Sequence, residues 1–114
     1  PYYGTMTEEI YGAKWQDDVV ALAVENSEIE LARSESESLI VRAVFGAGMA
    51  SQRKDNSNFT FSVVSTPAST ATGTTVDTKG VVKAGTQAGV AVVQVVLTDE
   101  PNVAPAFVTV TVTG

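Results

Sequence analysis

The chain has 114 residues, enough for one domain with its own core. It holds no cysteine and no histidine, which excludes disulfides, thiolate or zinc–histidine metal sites, and Ser-His-Asp or Cys-His nucleophile pairs. A net charge of −6, with 18% charged and 44% hydrophobic residues, describes a globular chain and argues against nucleic acid, whose phosphates demand a basic patch.

No apolar run approaches the ~20 residues of a membrane span, so no membrane insertion is expected. The opening residues "PYYGTMTEEIYG" lack the basic and apolar regions of a signal peptide. Pro1 follows either a removed initiator methionine or a cleaved segment; the first case implies a protein made and kept in the cytosol, or one that leaves only by cell lysis.

Residues 1–18 differ in texture from the rest. They hold all three tyrosines and the only tryptophan of the chain, together with Glu8, Glu9, Asp17 and Asp18. They show little periodicity and read as an extended N-terminal arm, separate from a domain spanning 19–114. Tyr, Trp and Met are enriched where proteins meet partners. Tyr2, Tyr3, Met6, Ile10, Tyr11 and Trp15 are therefore the candidate partner-binding residues. Packing of the arm on its own domain is the competing reading.

From Val19 onward short extended runs follow one another. "VVALAVE" and "EIELA" are separated by the break Asn26-Ser27, and the valines favour strand over helix there. In "SLIVRAVF", Leu39, Val41, Ala43 and Phe45 alternate with Ile40, Arg42 and Val44; both faces are partly apolar, and Arg42 marks the wetter one. "GAGMASQRKDNSN" (46–58) reads as a polar loop, and Arg53-Lys54 is the only adjacent basic pair. "FTFSVV" places Phe59, Phe61 and Val63 on one face. "STPASTATGTT" (65–75) reads as a loop broken by Pro67 and Gly73.

In "TTVDTKGVVKAGTQAGVAVVQVVLTD" (74–99), Asp77 is expected to bond its own backbone two residues on, and Gly80 to supply a positive φ. Gly89 is expected to open a long strand whose Val90, Val92, Val93, Val95 and Val96 fill the core. "AFVTVTVT" alternates valine and threonine, the pattern of a half-buried strand. About seven short strands with Gly, Pro and Asn turns predict an all-β fold, an antiparallel sandwich.

Other groupings are better read as structure. Asp77, Asp99 and Glu100 lack calcium-loop spacing and belong to turns. Glu8-Glu9 and Asp17-Asp18 lie in the arm, away from any expected cleft. "EIELARSESE" reads as a solvated strand face. Asn58-Phe59-Thr60 matches a glycosylation acceptor, but Phe59 reads as a strand residue. No cofactor or metal is expected, and no credible nucleophile–base set for an enzyme.

Two segments, "IELARSESESLIVRAVF" (29–45) and "TTVDTKGVVKAGTQAGVAVVQVVLTD" with the closing "FVTVTVT", resemble the bacterial Ig-like domain, group 2, of the invasin and intimin type. The resemblance spans about residues 19–114. Arg33-Ser34 stand where that family usually has glycine, and Phe61 where it commonly has tryptophan. The resemblance implies an Ig-like sandwich. Because such domains recur on phage capsids and tails, it also implies a virion structural protein, assembled in the host cytoplasm. The most concrete form is a capsid decoration protein attached by its arm. Implied partners are the major capsid protein or other virion subunits, further copies of the chain, and a host-surface glycan as a weak ligand. The alternatives are a phage tail or fibre component, or an adhesion module on a bacterial cell surface.

Overall fold

The computed structural model describes residues 19–46 and 51–113. The arm at 1–18, with its aromatic residues and its acidic pairs, lies outside the described residues. Among the described residues the fold is an all-β sandwich with one short α-helix. Ten strands are described: β1 (Val19–Val24), β2 (Glu28–Ala32), β3 (Ser36–Ser38), β4 (Val41–Phe45), β5 (Gln52–Arg53), β6 (Phe59–Val63), β7 (Thr75–Val76), β8 (Val81–Lys83), β9 (Gly89–Leu97) and β10 (Ala106–Thr113). The expected seven becomes ten because bends and turns divide the longer extended runs.

One layer is a four-stranded sheet in the order β2-β10-β9-β6. Its pairs are antiparallel except β2 with β10, which run parallel with Ile29 opposite Val110 and Leu31 opposite Val112. The sandwich is antiparallel as expected, with this one parallel pair at its edge. After the turn at Glu25–Asn26, β2 joins the sheet opposite that of β1 and travels beside the closing strand.

The other layer is built of two three-stranded sheets, β1-β4-β5 and β3-β8-β7. Only Leu39 and Ile40 separate β3 from β4, and each ladder reaches one residue into that gap: Leu39 N–H donates to the Gly80 carbonyl, and Glu25 N–H donates to the Ile40 carbonyl, both at 2.9 Å. Between the layers lie Val19, Val24, Leu39, Val41, Ala43 and Phe45 from one side and Ile29, Leu31, Phe59, Ala91, Val93, Val95, Leu97, Val108, Val110 and Val112 from the other, all buried.

Strand parity explains which residues reach that core. In β10 the valines are buried and the threonines alternate outward, as expected. In β1 both Val19 and Val24 are buried, although five positions apart, an odd spacing that strict alternation forbids. A bulge between Val19 and Ala21 supplies the extra residue and turns Val20 outward, 61% exposed. In β9 the expectation is corrected: Ala91, Val93, Val95 and Leu97 are buried, while Val90 is exposed and Val92 and Val96 are half-buried on the outer face. A nearly unbroken valine run carries no parity of its own. Its phase comes from β10, where Val108 pairs with Val93 and Val110 with Ala91.

The stretch 65–75 is corrected from loop to helix. α1 (Pro67–Thr72) starts at Thr66, whose hydroxyl accepts from the Ser69 N–H, has Pro67 in its first turn, and ends at Gly73 in the left-handed conformation. α1 covers the edge of β9 that β6 leaves after Val63. There Val92 N–H donates to the Ser69 hydroxyl at 3.1 Å, and Val64 N–H donates to the Val92 carbonyl at 2.8 Å. An edge that would otherwise be open to another strand is closed.

Candidate functional site

The break at Leu39–Ile40 is held by two asparagines from different parts of the chain. On one side the Asn26 amide accepts from Ile40 N–H at 3.0 Å and donates to the Ser38 carbonyl at 2.9 Å, replacing a strand neighbour. Its nitrogen also donates to Glu37 at 2.8 Å. On the other side Asn56, in a 3-10 turn at Asn56–Asn58, donates to the carbonyls of Leu39 at 3.0 Å and Lys79 at 2.9 Å. The break thus keeps its backbone polar groups paired, including the part-buried Leu39 carbonyl.

The Lys79 carbonyl is presented by a tight turn between β7 and β8. Asp77 sets that turn: one carboxylate oxygen accepts from Lys79 N–H and Val81 N–H, each at 2.9 Å. Gly80 follows with φ 78°. A Cβ at Gly80 would stand 2.7 Å from the Asn56 side-chain nitrogen and 2.8 Å from the Phe61 ring, so only glycine satisfies both conformation and space.

Between this turn and the segment 53–57 the surface opens into a groove floored by Leu39 and Ile40. Arg53, Lys54 and Lys79 line it, three of the seven cations of an acidic chain. Asp55 is also on its wall, but its carboxylate accepts from the Ser57 hydroxyl and from Ser57 N–H; these bonds hold the Asp55 carboxyl below the usual range. The Lys54 ammonium stands 5.7 Å from the centre of the Phe45 ring.

Beside the groove, Arg42 on β4 and Arg53 on β5 are direct cross-strand partners. Glu25 joins them, with Arg53 at 2.5 Å and Arg42 at 2.8 Å. Its two partners, Arg53 first and Arg42 next, hold its carboxyl down from 4.5 to about 2. Arg42 is further placed by the Ser51 hydroxyl and carbonyl, at 2.9 and 2.8 Å. The triad carries one net positive charge at neutral pH.

A second open surface is the outer face of the four-stranded sheet, with Val90 45% and Phe107 54% exposed amid threonines and serines. It is nearly free of charge apart from Glu28 and Glu30 on β2.

None of the six candidate partner-binding residues, Tyr2, Tyr3, Met6, Ile10, Tyr11 and Trp15, falls within the described residues. Sequence reasoning named the pair Arg53-Lys54 but gave it no role, read Asn26 only as a break between strands, and missed Asn56 and Glu25. One signal pointed there: Arg42 is the one charge in "SLIVRAVF", and a charge in an apolar strand implies a partner. Among the described residues no helix is long and apolar enough to cross a membrane. No protein-family model matches the chain, and a search of curated proteins finds no relative.

Proposed function

We propose that the protein is a non-enzymatic structural component of a bacteriophage virion, a capsid decoration protein whose residues 1–18 attach to the particle and whose sandwich is carried outside. The observation that carries this reading is the division of residue types along the chain. Every tyrosine and the tryptophan lie in 1–18, whereas the domain at 19–114 has only phenylalanine among the aromatics. The polar side chains of the sandwich support it. Asn26, Asn56 and Asp77 bind backbone, Asp55 binds Ser57, and Glu25 binds two arginines. These groups hold the fold together and are not aimed at a reacting atom. The resemblance of 29–45 and 74–99 to Ig-like domains of phage particles supplies the specific assembly.

Alanine at Tyr2, Tyr3, Met6, Ile10, Tyr11 and Trp15 in the full chain is the test. Loading onto purified particles should be lost while the thermal midpoint of the sandwich stays unchanged. Unimpaired loading sinks the attachment reading.

A further inference from the structure

We propose that the sandwich is a load-bearing link. Tension entering at β1 and leaving at β10 is carried lengthwise through two strand ladders and a polar fastener at Glu25 and Asn26. The point where load enters rests on the reading of 1–18 as the attachment element.

Strand direction sets the load path. β3 and β4 run on as one line across the break at Leu39 and Ile40, with a ladder reaching into it from each side. β1 is antiparallel to β4. Beyond Val24 the chain keeps the direction of β1. Glu25 N–H meets the Ile40 carbonyl, and the Asn26 amide meets Ile40 N–H and, further along, the Ser38 carbonyl. The chain reverses only between β2 and β3, at the turn where Glu35 N–H donates to the Ala32 carbonyl at 3.1 Å. β2 therefore points the same way as β1, and β10 is parallel to β2. Val19 stands at the tail of that common direction and Thr113 at its head.

Tension between those ends draws β1 and β2 one way and β10 the other. β2 and β10 are direct neighbours, from Glu28 beside Thr109 to Ala32 beside Thr113. The bonds of their ladder are loaded together, in shear, and must fail together. Two strands pulled apart from one end lose their bonds one at a time. Ile29, Leu31, Val110 and Val112 are buried along this ladder, and in such surroundings a hydrogen bond is electrostatically stronger than in water. On its other side β10 is held by β9, from Ala106 beside Val95 to Val112 beside Gly89.

The junction of β1 and β2 is where load passes from one layer to the other, and it is the most heavily tied point of that path. The Glu25 carboxylate holds Arg42 on β4 at 2.8 Å and Arg53 on β5 at 2.5 Å. The Asn26 amide binds Ile40 N–H, the Ser38 carbonyl and the Glu37 carboxylate. These bonds anchor the junction to β3, β4 and β5, so a pull on β1 is shared with the rest of its layer before it reaches β2.

Single-molecule force spectroscopy of the full chain tests this. The chain has no cysteine, so introduced cysteines are unique handles. Val20→Cys with Gly114→Cys pulls lengthwise. Asp99→Cys with Ala104→Cys, both exposed between β9 and β10, peels those two strands apart. At one loading rate the lengthwise unfolding force should exceed the peeling force. Glu25→Gln combined with Asn26→Ala should speed lengthwise unfolding at constant force about tenfold, and should leave peeling unchanged because peeling begins at β9 and β10. A lengthwise force no greater than the peeling force overturns the inference, and needs no variant of the fastener. Equal acceleration along both directions overturns the fastener, since it marks Glu25 and Asn26 as acting on stability at large. Particle loading separates the two proposals. A weak lengthwise axis in a chain that still needs its aromatic residues to load defeats load bearing and leaves attachment standing; a strong axis with unimpaired loading of the alanine variant does the reverse.

Discussion

Arg42 and Arg53 stand opposite each other on β4 and β5, like charges in direct register, and one Glu25 oxygen lies within 2.8 Å of both guanidiniums. Like charges facing across a pair of strands destabilise it. Here the repulsion is relieved by a carboxylate delivered from the turn that sends the chain from one sheet to the other. The two-residue strand β5 is thereby tied to β1 and β2.

The first prediction concerns pH. The Glu25 carboxyl is held at about 2, against 4.5 when unperturbed, so its ionised form is favoured by folding. The contribution is complete above about pH 4.5 and drains away as the pH falls toward 2, where the folded state also takes up the proton. Glu25→Gln removes it. The difference in thermal midpoint between wild type and Glu25→Gln should hold steady from neutrality to about pH 4.5 and shrink below that. A difference that stays constant down to pH 2 contradicts the triad as the source.

The two asparagines at the strand break should be separable by substitution. Asn56→Ala leaves the part-buried Leu39 carbonyl without its side-chain partner, at about 1–3 kcal/mol, whereas Asn26→Ala frees exposed backbone groups and should cost about 0.5–1.5 kcal/mol. Asn56 uses only its nitrogen, toward two carbonyl oxygens. Asn56→Asp should therefore be worse than Asn56→Ala, because a carboxylate would face both oxygens. Urea unfolding decides it; an aspartate variant as stable as wild type excludes the bonding described.

Backbone conformation gives opposite signs at two positions. Ser34 has φ 65° and is exposed, in the turn where the Ig-like resemblance expects glycine. Ser34→Gly should stabilise by up to about 1 kcal/mol, the left-handed penalty less the entropy of glycine. Gly80→Ala should destabilise by about 1–2 kcal/mol from conformation alone, and by more because of the Asn56 and Phe61 contacts. Calorimetric midpoints moving the same way for both would refute this.

The phase of β9 is tested by two truncations. Leu97 is fully buried, so Leu97→Ala should cost about 2–5 kcal/mol. Val90 is 45% exposed, so Val90→Ala should change stability by no more than about 0.5 kcal/mol. Equal losses at the two sites, read from urea titrations, would show the strand facing the other way.

Much of the scaffold was legible before any coordinates. The Val/Thr alternation of β10, the inward set Leu39, Val41, Ala43 and Phe45, and the turn at Asp77 to Gly80 all stand as expected. The helix α1 could have been read as well. Thr66, Pro67 and Gly73 are start and stop signals, but the Ser/Thr-rich interior between them looked like loop. The groove was not legible, because its cations come from residues 53–54 and from residue 79.

What the sequence alone determined is local. Alternation, turn chemistry and glycine placement act over two to five residues, and each carries its own physical signal within that span. Tertiary structure decided the rest. β2 chose a parallel partner, the valines of β9 took their phase from β10, and Asn26 and Asn56 met across a strand break from 30 positions apart. Such choices depend on which surfaces must be buried together and which backbone groups would otherwise be left unpaired. A residue pattern holds no record of either until the chain has closed on itself.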